Sequence, residues 1–273
     1  MRDGLLDVLV ITEAEPYIAD PFLALFEADP GIAWMQAKQP SAGQFFNSRL
    51  ADLWDAFVLY DRPGIQFRGG AASLITDPPL EVVRGFDELC DNGHGFVFVH
   101  HALGAWPAWP ELAVALGARF FHAPGPFAGR EWPASGYRPE TWHRVSVVDP
   151  SHPVTHGLGG GFEITDELFL MPIDERRITP LLLRSDYEYL DVNFNSSELA
   201  ARGRKGRRDG WQHPPASNAV AWTSRYRDTD VVCIQCGHGP SAYDHPGFRR
   251  LLANAVRWVA RHRSGGPAVP YSA

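Results

Sequence analysis

Apolar residues along this chain follow two alternating rhythms. Short β-rich runs at Asp7 to Ile11, Ile32 to Met35 and Ala56 to Tyr60 predict strands, the first bounded by Gly4 and a turn over Glu13 to Pro16. Between them the spacing changes to a helical one. Asp20 and Pro21 read as an N-cap and a first-turn proline, after which Phe22, Leu25 and Phe26 share one helical face. Leu80, Val83, Phe86 and Cys90 form a second such face, which Gly93 terminates. Gly95 to His100 is a continuous apolar run closed by histidine, the pattern of a strand covered by helices on both sides. Asp230 to Gln235 repeats it, and Phe248, Leu251, Leu252, Ala255, Val256 and Val259 then return at the 3.6-residue period.

Strands and helices in alternation are satisfied by a mostly parallel sheet with helices on both faces, so the predicted class is α/β. The region from Phe120 to Ala216 breaks the rhythm with prolines, glycines and aromatics, and only short strands are predicted there, such as Arg144 to Val148 and Leu181 to Arg184. It reads as an irregular elaboration at about 120–216 on the sheet's edge, inside a single domain spanning 1–273. A content of 45% hydrophobic and 21% charged residues is enough to bury a sizeable core. No internal repeat or low-complexity tract interrupts it.

Charge and cysteine content narrow the function. A net charge of −7 opposes a nucleic-acid partner, which needs a positive surface. The basic cluster Arg202, Arg204, Lys205, Arg207 and Arg208 carries Gly203, Gly206 and Gly210 and reads as a mobile, solvated loop. No apolar run approaches the roughly 20 residues that cross a bilayer. The first residues lack the basic start and apolar stretch of a signal peptide, so a cytoplasmic protein without a membrane partner is expected. Cys90, Cys233 and Cys236 read as buried thiols, because strand residues three apart point to opposite faces and oppose a Cys233–Cys236 redox or zinc pair.

In open parallel sheets the ligand crevice lies beyond the carboxyl ends of the strands. That rule singles out Tyr60-Asp61-Arg62-Pro63-Gly64, His100-His101 onward to Trp106, and Gly237-His238 onward to Tyr243. Asp166 and Glu167 follow a short strand at Phe162 to Ile164, and a carboxylate beside a histidine orients it or shares a metal with it. Tyr60, Asp61, Trp106, Tyr137, Trp211 and Tyr243 are the candidates for binding a ring that is apolar on its face and hydroxylated on its edge. If the strand continues through the double histidine, His100 and His101 face opposite ways. His101 is then expected in the crevice, and His100 is expected to bond to backbone or to a neighbouring acid. His152 and His156 read as a capped turn.

Gly95-Phe-Val-Phe-Val-His-His-Ala102 with Trp106 and Trp109, Leu116-Gly-Ala-Arg-Phe120, Ser135-Gly-Tyr-Arg138, Ser151-His-Pro-Val-Thr155, Thr165-Asp-Glu-Leu-Phe169, Ala219-Val-Ala-Trp222, Gly237-His-Gly-Pro240 and Asn254-Ala-Val-Arg-Trp258 resemble, in order and spacing, the ThuA-like (trehalose utilisation) family. The resemblance implies the flavodoxin-like fold of the class I glutamine amidotransferases. It places His100 and His101 where that superfamily carries its nucleophilic cysteine, so glutaminase chemistry is not expected. It also implies a small-molecule carbohydrate partner: a disaccharide, a glycoside or a 3-keto derivative. The expected chemistry is proton abstraction beside a carbonyl, as in an isomerase, lyase or hydrolase. His101 or His100 would be the base, Asp166 or Glu167 its partner, and His238 nearby. A divalent metal, zinc or manganese, held by His101, Glu167 and His238 is a further expectation. No nucleotide cofactor is expected, and a homo-oligomer is left open. The alternative is a non-catalytic sugar-binding or scaffold domain.

Overall fold

The computed structural model describes residues 4–13, 17–68 and 71–264, so the turn expected after Glu13 lies outside the described residues. In chain order the first half carries β1 (Leu6–Thr12), α1 (Ala19–Glu27), β2 (Ile32–Lys38), α2 (Ser48–Ala51), β3 (Ala56–Leu59), the hairpin strands β4 (Ile65–Arg68) and β5 (Ala71–Ile75), α3 (Leu80–Asp91) and β6 (Gly95–Val99). Next come α4 (Pro110–Leu116), the small hairpin β7 (Gly125–Phe127) and β8 (Arg130–Trp132), β9 (Gly136–Val147), β10 (Gly161–Leu170), β11 (Ile178–Ser185) and β12 (Asn195–Ser196). Last among the described residues come α5 (Ser197–Ala201), β13 (Ala219–Tyr226), β14 (Thr229–Ile234), α6 (Pro240–Tyr243) and α7 (Pro246–Ser264).

Ten strands form one sheet in the order β10-β9-β11-β13-β14-β6-β3-β1-β2, with β12 beside β9. The strands from β14 to β2 pair in parallel, and those from β14 to β10 pair antiparallel. In the parallel half, alternate residues enter different cores. Val8, Val10, Val97 and Val99 pack with Phe22, Phe26, Leu251 and Val256 of α1 and α7 on one face. Leu9, Ile11, Phe96 and Phe98 pack with Phe86, Leu89, Leu112 and Leu116 of α3 and α4 on the other. Each such side chain contributes ~1.5–3 kcal/mol on burial, which is why both faces must be covered. Cys233 belongs to the second core and Cys236 to the first, and all three cysteines are free and buried.

Several local expectations need correction. α1 begins at Ala19 behind Ile18 with no side-chain cap, so Asp20 and Pro21 sit within its first turn. α3 buries Val82, Phe86, Leu89 and Cys90, while Leu80 opens the helix beyond the core and is 69% exposed. The stretch read as irregular supplies β9, β10, β11 and β12, which with β13 make the antiparallel half of the central sheet. Its alternation was hidden because the inward positions of β9 include the polar Thr141 and His143 beside Val145. Among the described residues no helix is long and apolar enough to cross a membrane.

Candidate functional site

The apolar strand β6 stops at Val99, and the chain drops at once into a 3₁₀ turn, His100–Gly104. His100 has φ = 42°, a left-handed conformation that costs energy for a side-chain-bearing residue and is held by the surrounding packing. The turn defeats strand alternation. Both histidines reach the same place, their ring centroids 4.9 Å apart. His100 is fully buried, stacked on Phe169 at 4.5 Å. Its Nδ1 donates to the Gln235 carbonyl oxygen at 2.6 Å, so its Nε2 faces the site, 3.3 Å from Glu167 Oε2 and 3.0 Å from His238 Nδ1. His101 lines the cavity beyond; it makes no hydrogen bond among the described residues, and its Nδ1 is buried without a partner.

Asp166 and Glu167 lie inside β10 rather than after a short strand, at a bulge where the register with β9 shifts between Asp166 and Leu168. Adjacent residues of a regular strand face opposite sides; the bulge lets both acids serve one region. Asp166 accepts from the backbone N–H groups of Gly237 at 2.6 Å and His238 at 3.0 Å. Burial raises its pKa. Glu167 turns to the side chains instead, 3.4 Å from His238 Nδ1 as well as 3.3 Å from His100. Burial pushes the Glu167 carboxyl up, but the hydrogen bond with His100 and the charges of His100, His238 and Arg62 outweigh it and hold the group below its ordinary value.

Gly237 makes this approach possible. It has φ = 116°, and a Cβ there would lie 2.9 Å from Phe248 and 3.0 Å from Val99. The turn therefore stays close to β6 and presents His238 across from His100. Tyr60 braces the turn from below, its hydroxyl donating to the Gly237 carbonyl at 2.7 Å while lying 2.6 Å from the Tyr243 hydroxyl.

A cavity of about 610 Å³ opens over this group, and His101, Glu167, His238 and Tyr137 all line it. The other side chains expected to bind substrate lie elsewhere. Tyr60 and Tyr243 are buried beneath the turn because their hydroxyls satisfy each other and the backbone. Asp61 is buried against Gln39 Nε2 at 2.6 Å, since it turns away from the crevice at the end of β3. Trp106 lines a neighbouring groove with Pro63 and Leu74. Trp211 packs with Phe194 and Leu168, its indole N–H held by the Ala134 carbonyl at 2.8 Å. Asp166 is a support of the His238 turn rather than a cavity wall. His152 caps its own 3₁₀ turn, accepting the Val154 N–H at 3.2 Å, and does not line the cavity.

The cavity also recruits Arg62, His122 and Lys205, none of them expected as site residues. Arg62 was flagged only by its position after β3. His122 follows no predicted strand end, and Lys205 belongs to the loop read as solvated and mobile. That loop is tied down: Asp209 pairs with Arg204 at 2.8 Å and Arg207 at 2.9 Å, and the Gly206 N–H donates to the Tyr137 hydroxyl at 2.8 Å.

Solved structures of similar architecture share little sequence with this chain. A ThuA-like protein from Parabacteroides merdae aligns with a TM-score of 0.64 at 17% identity, covering 94% of this chain and 91% of the other. One from Bacteroides uniformis gives 0.61 at 16% identity, covering 93% and 91%. A cytoplasmic protein from Salmonella typhimurium gives 0.55 at 12% identity, covering 93% and 98%. These likenesses establish the fold. No curated protein matches the sequence. The family described as ThuA, trehalose utilisation, matches residues 75–259, a span that holds His100, His101, Glu167 and His238 and more than half of the 273 residues, and the chain belongs to that family.

Proposed function

We propose that the cavity is the active site of an enzyme that moves a proton beside a carbonyl of a carbohydrate derivative, such as a 3-keto sugar or glycoside, in an isomerase, lyase or hydrolase reaction. The observation that carries this reading is His101: a buried imidazole on the cavity wall with an unengaged Nδ1. Burial, then the charges of His100, Arg62 and His238, hold its pKa well below the ordinary value, so it rests in the neutral form a base requires, though as a weaker base than a free imidazole. The absence of a thiol or hydroxyl at the turn after β6 supports acid–base chemistry over acyl transfer.

A divalent ion, zinc or manganese, belongs to the same reading. His100 Nε2, His238 Nδ1 and Glu167 Oε2 form a triangle with edges of 3.0, 3.3 and 3.4 Å. Metal–ligand bonds of ~2.0–2.1 Å in a tetrahedral site place neighbouring ligands ~3.3 Å apart. The Gln235 carbonyl takes the Nδ1–H of His100, which leaves its Nε2 for Glu167, His238 or an ion. The nitrogens of His100, His101 and His238 also lie within 4.8 Å of one another, so His101 can join this set; with Glu167 as the third ligand, His101 is left for the proton. The ion would polarise the carbonyl and stabilise an enediolate.

The test combines metal analysis of freshly purified protein with hydrogen–deuterium exchange at the carbon beside the carbonyl of keto sugars, followed by NMR. Exchange that is lost in His101→Ala and a stoichiometric ion lost in His238→Ala are the expected results. Exchange unaffected by His101→Ala overturns the assignment of the base. Sugar binding with neither exchange nor metal favours a non-catalytic carbohydrate-binding domain.

A further inference from the structure

Beside the histidine–carboxylate group the cavity has a second polar wall, formed by Arg62, His122 and Lys205. His122 is 5% exposed, and its ring nitrogens make no well-formed hydrogen bond among the described residues, the Gly104 backbone being the polar group beside it. A buried polar group left unmet is costly, and one that faces a cavity is met by what fills the cavity. Gly104 brings Arg62 and His122 together. A Cβ at that position would lie 3.1 Å from Arg62 Cδ, a tight contact, and 3.6 Å from His122 Nε2, so the two side chains meet across it. The Arg62 guanidinium lies 4.7 Å from the ring centre of Phe67 on β4. Burial first, and then the Arg62 charge, keep His122 neutral, so it retains an N–H to donate.

Lys205 is exposed at the edge of the same cavity and forms no ion pair among the described residues, whereas Arg202, Arg204 and Arg207 of its loop each pair with an acid. The chain carries a net charge of −7, yet among the described residues lining this cavity Glu167 is the only carboxylate, and it is bonded to His100. The remaining formal charges on the wall are positive.

We propose that Arg62, His122 and Lys205 form an oxyanion-binding subsite, so that the substrate is a sugar derivative carrying a carboxylate or a phosphate. The proposal rests on reading the cavity as the site of a carbohydrate derivative. A planar guanidinium matches two oxygens of either group, neutral His122 donates to one of them, and Lys205 adds a charge from the rim.

Calorimetric titration of the full chain with gluconate, glucuronate, glucose 6-phosphate and glucose tests it, in the parent protein and in Lys205→Met, Arg62→Met, Lys205→Arg and His101→Ala. At least one anion is expected to bind tenfold or more tighter than glucose, equivalent to ~1.4 kcal/mol, and to weaken with added salt. Lys205→Met and Arg62→Met should each remove most of that preference, and Lys205→Arg should keep it. Lys205 is exposed, so its loss leaves the melting temperature unchanged. Binding of the sugar acids alone or of the phosphate alone supports the subsite and identifies the group. Anion binding retained in His101→Ala separates this subsite from the proton-transfer reading, which can fail independently. Affinity for glucose equal to that for the anions, no binding of any anion, or full anion affinity in both methionine variants overturns it.

Discussion

Asp166 Oδ2 accepts the backbone N–H of Gly237 at 2.6 Å, tying the bulge of β10 to the turn that ends β14. Its other oxygen accepts the N–H of His238 at 3.0 Å, so one carboxylate fixes the backbone from which the His238 ring projects. The two acids side by side thus divide the work: Asp166 holds the main chain, and Glu167 meets the histidine rings.

Asp166→Asn turns an amide NH₂ toward one of these two N–H donors. A loss of about 1–3 kcal/mol is expected, read as a lower urea midpoint with an unchanged slope. Unaltered stability would mean that the His238 turn is held by other contacts.

His100 and His101 should separate in their effects. His100→Ala leaves the Gln235 carbonyl unmet and opens a void against Phe169, and about 1–3 kcal/mol of stability should be lost. His101→Ala removes a ring that has no hydrogen bond among the described residues, so it should change stability by less than ~1 kcal/mol while removing turnover. Thermal melts paired with the exchange assay check both, and a reversed order of stability would reverse the assignment.

Burial pushes the Asp61 carboxyl up to about 7, against the hydrogen bond from Gln39. A raised folded-state pKa means that the native chain binds more protons than the unfolded chain between the ordinary carboxylate range and about 7. Stability present in acid is therefore lost as pH rises through this window, by up to ~1.4 kcal/mol per unit. Asp61→Asn keeps an acceptor for Gln39 without the charge. Its melting temperature should gain on the parent between about pH 5 and about pH 8. An identical difference at both values would count against a buried, titrating Asp61.

Glutaminase activity should be absent, since the cysteines are buried in the cores and burial pushes Cys90 up to about 12. Ammonia release from glutamine should match the buffer blank. A thiol reagent such as Ellman's should label the 3 cysteines only after unfolding. Release abolished by Cys90→Ala would contradict this.

The parallel half of the sheet was legible because its strands are apolar on both faces, as in Phe96 to Val99, and its helices repeat at their own period. The strand-end rule then led to His100, His101 and His238 without any coordinates. The antiparallel half escaped, since Thr141 and His143 occupy inward positions of β9 and blur its alternation.

By itself the sequence determined the α/β alternation, the lack of a nucleophile after β6 and the histidines at two strand ends, because each depends on residue type and local spacing. Only the tertiary structure decided which groups meet. His100 at a left-handed φ, Glu167 on a bulge and His238 beyond Gly237 come from strands far apart in the chain and converge through backbone irregularities that leave no periodic trace. Tyr60 and Trp211 belong to the same lesson: an aromatic side chain reads alike whether it will face a ligand or a neighbour, and the packing around Tyr243 and Ala134 chose the neighbour.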